Sequence, residues 1–121
     1  MDGVHLLGEW YECPARTPEF TRADALRSLC LSAVCETGLS IVGDSFYQFA
    51  PQGVTGTVLL AESHLAIHTW PELGFVTVDV YVCNLSSDNS EKAVRLFRRL
   101  EAALKPARTK FQMIHRGGAD D

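Results

Sequence analysis

Hydrophobic positions along the chain switch between a two-residue and a three-to-four-residue period, and each switch marks an element boundary. Residues 3–12, GVHLLGEWYE, suit a strand, although Gly8 weakens it. Thr21 then opens a helix as N-cap, with Asp24 at the third helical position in a capping-box arrangement. Leu26, Leu29, Cys30, Ala33 and Val34 fall at helical spacing, and Gly38 supplies the stop. Residues 39–49 resume a strand pattern and run into the turn Pro51-Gln52-Gly53. Two apolar stretches, 54–61 and 65–70, are separated by Glu62-Ser63-His64. After the turn Pro71-Glu72-Leu73-Gly74, residues 75–83 alternate: Val76, Val78, Val80 and Val82 on one face, Phe75, Thr77, Asp79, Tyr81 and Cys83 on the other. Residues 90–104 predict a second amphipathic helix, capped by Asn89, with Val94, Leu96, Phe97, Leu100 and Leu104 apolar. A strand at about 108–115 closes the pattern.

The predicted order is β-α-β-β-β-β-α-β. Consecutive strands able to form hairpins, with two helices, imply an α+β fold: a mainly antiparallel sheet carrying both helices on one face. The all-valine face of 75–83 is the one a helix covers. The opposite face, with its aromatic, acidic and thiol groups, reads as a functional or sheet-packing surface.

Composition sharpens this. With 121 residues, 46% hydrophobic and 21% charged, the chain is expected to form a single globular domain, 1–121. A domain this small has little room for a deep pocket, so a site at an edge or between subunits is expected. The formal net charge is -4, and the one basic cluster, Arg95, Arg98 and Arg99, reads as the solvated side of a helix. Nucleic-acid binding, which requires a basic surface, is therefore not expected. No apolar run approaches the ~20 residues of a membrane span. Cys13, Cys30, Cys35 and Cys83 contain no C-x-x-C pair, and no charged segment leads into an apolar one at the start of the sequence. A cytoplasmic protein with reduced thiols is expected, with Cys30 and Cys35 structural.

Candidate chemistry is concentrated in Glu62-Ser63-His64-Leu65-Ala66-Ile67-His68-Thr69-Trp70-Pro71-Glu72, where polar groups interrupt core-like sequence. Such groups are costly to bury unless paired or used. Three readings are open on the residues alone. Ser63 with His64 or His68 could serve a hydrolase, but the glycine-flanked nucleophile elbow is missing. His64, His68 and Cys83 could bind a metal, but an extended segment separates the two imidazoles, and no second cysteine completes the set. The third reading takes them all as satisfied structural residues.

A wider set of residues narrows the choice. Pro51-Gln52-Gly53-Val54-Thr55-Gly56, Glu62-Ser63-His64, Ile67-His68-Thr69-Trp70-Pro71-Glu72, Asp79-Val80-Tyr81 and Cys83, with Gly3-x-His5-Leu6, Glu9 and Cys13 ahead of them, together resemble the pyruvoyl-dependent S-adenosylmethionine decarboxylases in their short prokaryotic form. The likeness covers nearly the whole chain.

The resemblance implies a two-layer sandwich that breaks its own Glu62–Ser63 bond, giving pieces 1–62 and 63–121. The Ser63 hydroxyl would attack the Glu62 carbonyl, and elimination would leave a dehydroalanine that hydrolyses to the covalent pyruvoyl cofactor. That group would form a Schiff base with the α-amine of S-adenosylmethionine and accept the electrons released with CO2. The product would be the aminopropyl donor for spermidine synthesis. His68 would assist processing, Thr55 would aid the ester steps, and Cys83 would return the proton. Phe49 and Glu72 would contact the substrate, no metal is implied, and two protomers would pair as a homodimer with sites near the interface.

Some positions depart from the common pattern. Tyr47 stands where His is usual, Val82 and Asn84 replace Thr and Gly around Cys83, and Phe75-Val76-Thr77 replaces Tyr-Ala-Ala. These departures keep two alternatives open: a pyruvoyl-dependent L-ornithine or L-arginine decarboxylase, and an unprocessed, non-enzymatic paralogue.

Overall fold

The computed structural model describes residues 2–84 and 88–118. Strand β1 (Asp2–Tyr11) leads into a single helical turn α1 (Pro18–Thr21) and helix α2 (Ala23–Thr37). Strands β2 (Ile41–Gln48), β3 (Val54–Leu60), β4 (Ser63–Trp70) and β5 (Phe75–Cys83) follow as a meander, with a 3-10 turn at Pro71–Leu73. Helix α3 (Ser90–Leu104) and strand β6 (Arg108–Gly117) complete the order.

The strands form one six-stranded antiparallel sheet in the order β2-β3-β4-β5-β1-β6. Both long helices lie on one face, as the valine pattern requires. Val76, Val78, Val80 and Val82 are at most 1% exposed, beneath Leu26, Cys30, Ala33 and Val34 of α2 and Leu96, Phe97, Leu100 and Leu104 of α3. This is the α+β two-layer arrangement the periodicity predicts.

Gly8, the weak point of β1, has a packing cause. A Cβ there would lie 2.6 Å from the Phe97 ring, which meets Trp10 edge-on at 5.3 Å. The glycine lets α3 settle directly onto the sheet.

Two caps differ from expectation. Thr21 does not cap α2; it closes α1, and its hydroxyl donates to the Thr17 carbonyl at 3.2 Å. Arg22 occupies the N-cap position of α2, and the free Ala23 N–H is taken by Gln48 Oε1 of β2 at 2.6 Å. A partner 25 positions away has no local signature, so a capping-box reading cannot find it. Asn89 does sit at the N-cap of α3, but its amide caps nothing. Gly38 ends α2 as predicted, in the left-handed conformation at φ 82°.

The arginine cluster lies on the solvated side of α3. Arg95 and Arg98 pair with Glu91 and Glu101 on α3, and Arg99 reaches Glu36 of α2. Among the described residues no helix is long and apolar enough to cross a membrane.

Candidate active site

Strand register distributes the chemistry-bearing side chains between two places at opposite ends of β4. At the first end, a two-residue hairpin, Ala61-Glu62, joins β3 to β4, with Leu60 paired to Ser63. Glu62 is held at φ 59°, the left-handed region that costs an L-residue about 1–2 kcal/mol. Directly after it, the Ser63 Oγ accepts the backbone N–H of Cys83 at 3.1 Å. Cys83 is nearly buried, at 7% exposure. With Glu62, Asn89 and Lys92 it lines a cavity of about 180 Å³.

Asn89 and Asn84, which the sequence did not mark as site residues, hold Cys83 in place. The Asn89 amide donates to the Cys83 carbonyl at 2.9 Å, while its backbone N–H donates to Asn84 Oδ1 at 2.7 Å. Asn84 Nδ2 donates to Ser90 Oγ at 3.0 Å. The Asn84 departure thus acquires a physical account: it ties the end of β5 to the start of α3, which a glycine could not do. Val82, the other neighbour, is fully buried in the core.

At the second end of β4, Thr55 Oγ1 and His68 Nδ1 lie 3.0 Å apart, in register across β3 and β4. A cavity of about 320 Å³ opens beside them, lined by Phe49, Gln52, Trp70 and Glu72 among others. Gly53, at φ 109°, turns the chain beneath it, and its N–H donates to the Thr21 carbonyl. Aromatic rings form the surroundings: Trp70 stacks on Phe75 at 5.4 Å, and Tyr47 meets Phe49 edge-on at 4.9 Å. The departures Tyr47 and Phe75 therefore pack against Phe49 and Trp70 of the cavity wall, and Thr77 lies opposite His68 in the sheet.

Ser63 and His68 do not meet within one chain. Five residues of antiparallel strand separate them by about 17 Å. The odd spacing also sends them to opposite faces: Leu65, Ile67 and Thr69 are buried under the helices, while His64, Ala66, His68 and Trp70 line the open face. No bond from Ser63 to a histidine occurs among the described residues, and no three His, Cys, Asp or Glu side chains there gather around a point.

Between the two ends, the open face carries a polar patch. His64 lies 6.2 Å from His5 and 5.7 Å from Tyr81, ring centre to ring centre, and Arg116 sits over the Tyr81 ring. His5 Nε2 is 3.5 Å from Asp79 Oδ1. Burial lowers the His64 pKa, and the neighbouring His5 and Arg116 lower it further against the opposing pull of Asp79. The fold therefore favours neutral His64. This contribution is complete above the unfolded value of 6.5 and is lost as pH falls through the lower folded value. The thermal midpoint should drop between pH 7 and pH 5, and His64→Gln should reduce that drop. An unchanged pH slope in the variant would remove His64 as its source. The thiols of Cys13 and Cys30 are pushed up by burial to about 11 and about 12, so both stay protonated as packing groups.

The chain matches the family model described as S-adenosylmethionine decarboxylase over residues 4–117. It is 41% identical over 115 residues to the S-adenosylmethionine decarboxylase proenzyme of Aquifex aeolicus, a match spanning 95% of this chain and 81% of that one. The proenzyme of the same description from Picrophilus torridus is 37% identical over 115 residues, spanning 95% and 84%. The crystal structure of the adenosylmethionine decarboxylase from Aquifex aeolicus superposes with a TM-score of 0.87 at 38% identity, covering 97% of this chain and 92% of that one. Fold and relatives define a decarboxylase, and hence a lyase. The chain belongs to the S-adenosylmethionine decarboxylase family.

Proposed function

We propose that this chain is a proenzyme that cleaves itself between Glu62 and Ser63, converts Ser63 to a pyruvoyl group and decarboxylates S-adenosylmethionine. The observation that carries this reading is the Glu62–Ser63 junction of a chain in this family. There a left-handed residue precedes a serine whose Oγ already accepts a fixed backbone N–H. Strain at Glu62 is relieved when the peptide bond breaks. The donated N–H stabilises negative charge on the attacking oxygen.

The residues around Ser63 fit a pyruvoyl group. Its ketone would lie beside the nearly buried Cys83, which is placed to hold a proton for the substrate carbon. The group supplies a carbonyl that binds an α-amine and takes up the electron pair left by CO2.

The separation of the two clusters leads to a dimer. Each chain holds half of the machinery: Glu62, Ser63 and Cys83 at one end of β4, Thr55, His68, Phe49 and Glu72 at the other. Two copies packed through their open sheet faces around a two-fold axis would bring the first end of one over the second end of the other. Tyr47, Leu59 and Ile114, at 63, 49 and 46% exposure, lie on that face and favour its being covered. His68 of one copy would then reach the Ser63 Cα hydrogen of its partner from the open face, the side opposite Oγ, and assist elimination, with Thr55 beside it aiding the ester steps. Phe49 and Trp70 offer aromatic surfaces to an adenine, and Glu72 offers a carboxylate to a ribose or to a cationic group. The aromatic lining favours an adenosyl substrate over L-ornithine or L-arginine, which present no ring.

Purified protein offered S-adenosylmethionine, L-ornithine and L-arginine separately should release CO2 from the first alone. Release from an amino acid alone would overturn the substrate. A single uncut band on a denaturing gel would overturn self-processing and favour the non-enzymatic alternative.

A further inference from the structure

Lys92 lines the same cavity as Glu62 and Cys83. It stands in the first turn of α3, where the helix dipole already presents positive charge, so helix stability does not account for a lysine there. Its neighbours on that turn are occupied: Asp88 Oδ1 accepts the Ser90 N–H, and Glu91 pairs with Arg95. No ion pair or hydrogen bond reaches the Lys92 side chain among the described residues. A half-buried cation with no partner among the described residues thus shares a cavity with Glu62, the residue whose peptide bond is to be broken.

The chemistry of that bond creates the matching anion. Ser63 Oγ bonds to the Glu62 carbonyl carbon, the C–N bond breaks, and the hydroxyl proton ends on the freed Ser63 nitrogen. In the elimination a base removes the Ser63 Cα proton, and that electron pair forms the Cα=Cβ bond. The Cβ–Oγ bond then breaks, and Oγ departs as one oxygen of the new Glu62 α-carboxylate. Reprotonation at Cβ gives an imine, and water replaces its nitrogen, releasing ammonia. The leaving group is therefore a carboxylate formed at Glu62, on an oxygen held 3.1 Å from the Cys83 N–H.

We propose that Lys92 is the cation that stabilises this departing carboxylate, making it a processing residue in addition to those the family resemblance supplies. The inference rests on the self-cleavage reading above. Stabilising a charge that forms only as the Cβ–Oγ bond breaks lowers the barrier of that step without favouring the intact ester.

Freshly translated, pulse-labelled chains separate the steps. Lys92→Met should lengthen the half-time of cleavage by about tenfold or more. Its uncut band should be split by hydroxylamine, which attacks esters and leaves a second fragment beginning with serine, identified by mass. Lys92→Arg, which keeps the charge, should cleave within about threefold of the native rate. Cleavage of Lys92→Met at the native rate, or equal slowing of both variants, would overturn the role of the charge. A Lys92→Met band resistant to hydroxylamine would place the defect before the ester and equally overturn it. Native chains that never cut would instead remove the self-cleavage reading itself, and this inference with it.

Discussion

Ser63→Ala is expected to leave the protein as one 13.3 kDa chain with no CO2 release above background, losing the whole acceleration, at least about a million-fold. Alanine has no hydroxyl to attack the Glu62 carbonyl and no oxygen to leave from Cβ, so neither the ester nor the double bond can form. The fold should survive. Oγ accepts a hydrogen bond from the Cys83 N–H, and leaving that donor without its partner costs about 1–3 kcal/mol. A domain has about 5–15 kcal/mol in reserve. Far-ultraviolet circular dichroism of the variant should therefore match the native chain, while mass spectrometry shows the uncut species. A variant that still splits at this position would exclude Ser63 as the origin of the cofactor.

The second large effect concerns His68. Alone, His68→Ala should stay uncut, because the Thr55–His68 pair loses the imidazole proposed to assist elimination. Mixed with Ser63→Ala during refolding, it should recover in trans. In the proposed arrangement, a mixed dimer would set the intact Ser63 of the His68→Ala chain against the intact His68 of the Ser63→Ala chain. Random pairing makes half of the dimers mixed, with one competent site in each, so about one quarter of native activity should return. Mass spectrometry should find the cut in the His68→Ala chain alone. Failure of the mixture to cut, with both variants folded, would exclude the shared site. Cutting of His68→Ala by itself would remove His68 from processing.

The two experiments address different levels of the molecule. Ser63 tests a covalent role that any one chain carries. His68 tests whether the catalytic set is assembled from one chain or two, a question created by the spacing of two side chains on β4 rather than by their identity.

Much of this was legible in the sequence, for a physical reason. The alternation over residues 75–83 marks a strand with one buried face because side-chain direction has a period of two along extended chain, whatever surrounds it. The helix over 90–104 and the stop at Gly38 are likewise local, set by side-chain spacing and by the one residue that enters the left-handed region without penalty. Glu62-Ser63-His64 marked the candidate chemistry because polar residues rarely interrupt apolar sequence without use.

Contacts between distant positions required the tertiary structure. Gln48 caps α2 from β2, Phe97 explains Gly8, and Asn84 and Asn89 clasp Cys83 from both sides of a connection. Lys92 reads as one more solvent-facing residue until α3 is docked beside the hairpin. Above all, the sequence placed Ser63 and His68 in one motif, and the sheet places them about 17 Å apart on opposite faces. Residue types and local periods are properties of the chain itself, so the sequence determined the elements and the kind of chemistry. Which side chains meet depends on register and packing between elements remote in sequence, and that was decided by the fold.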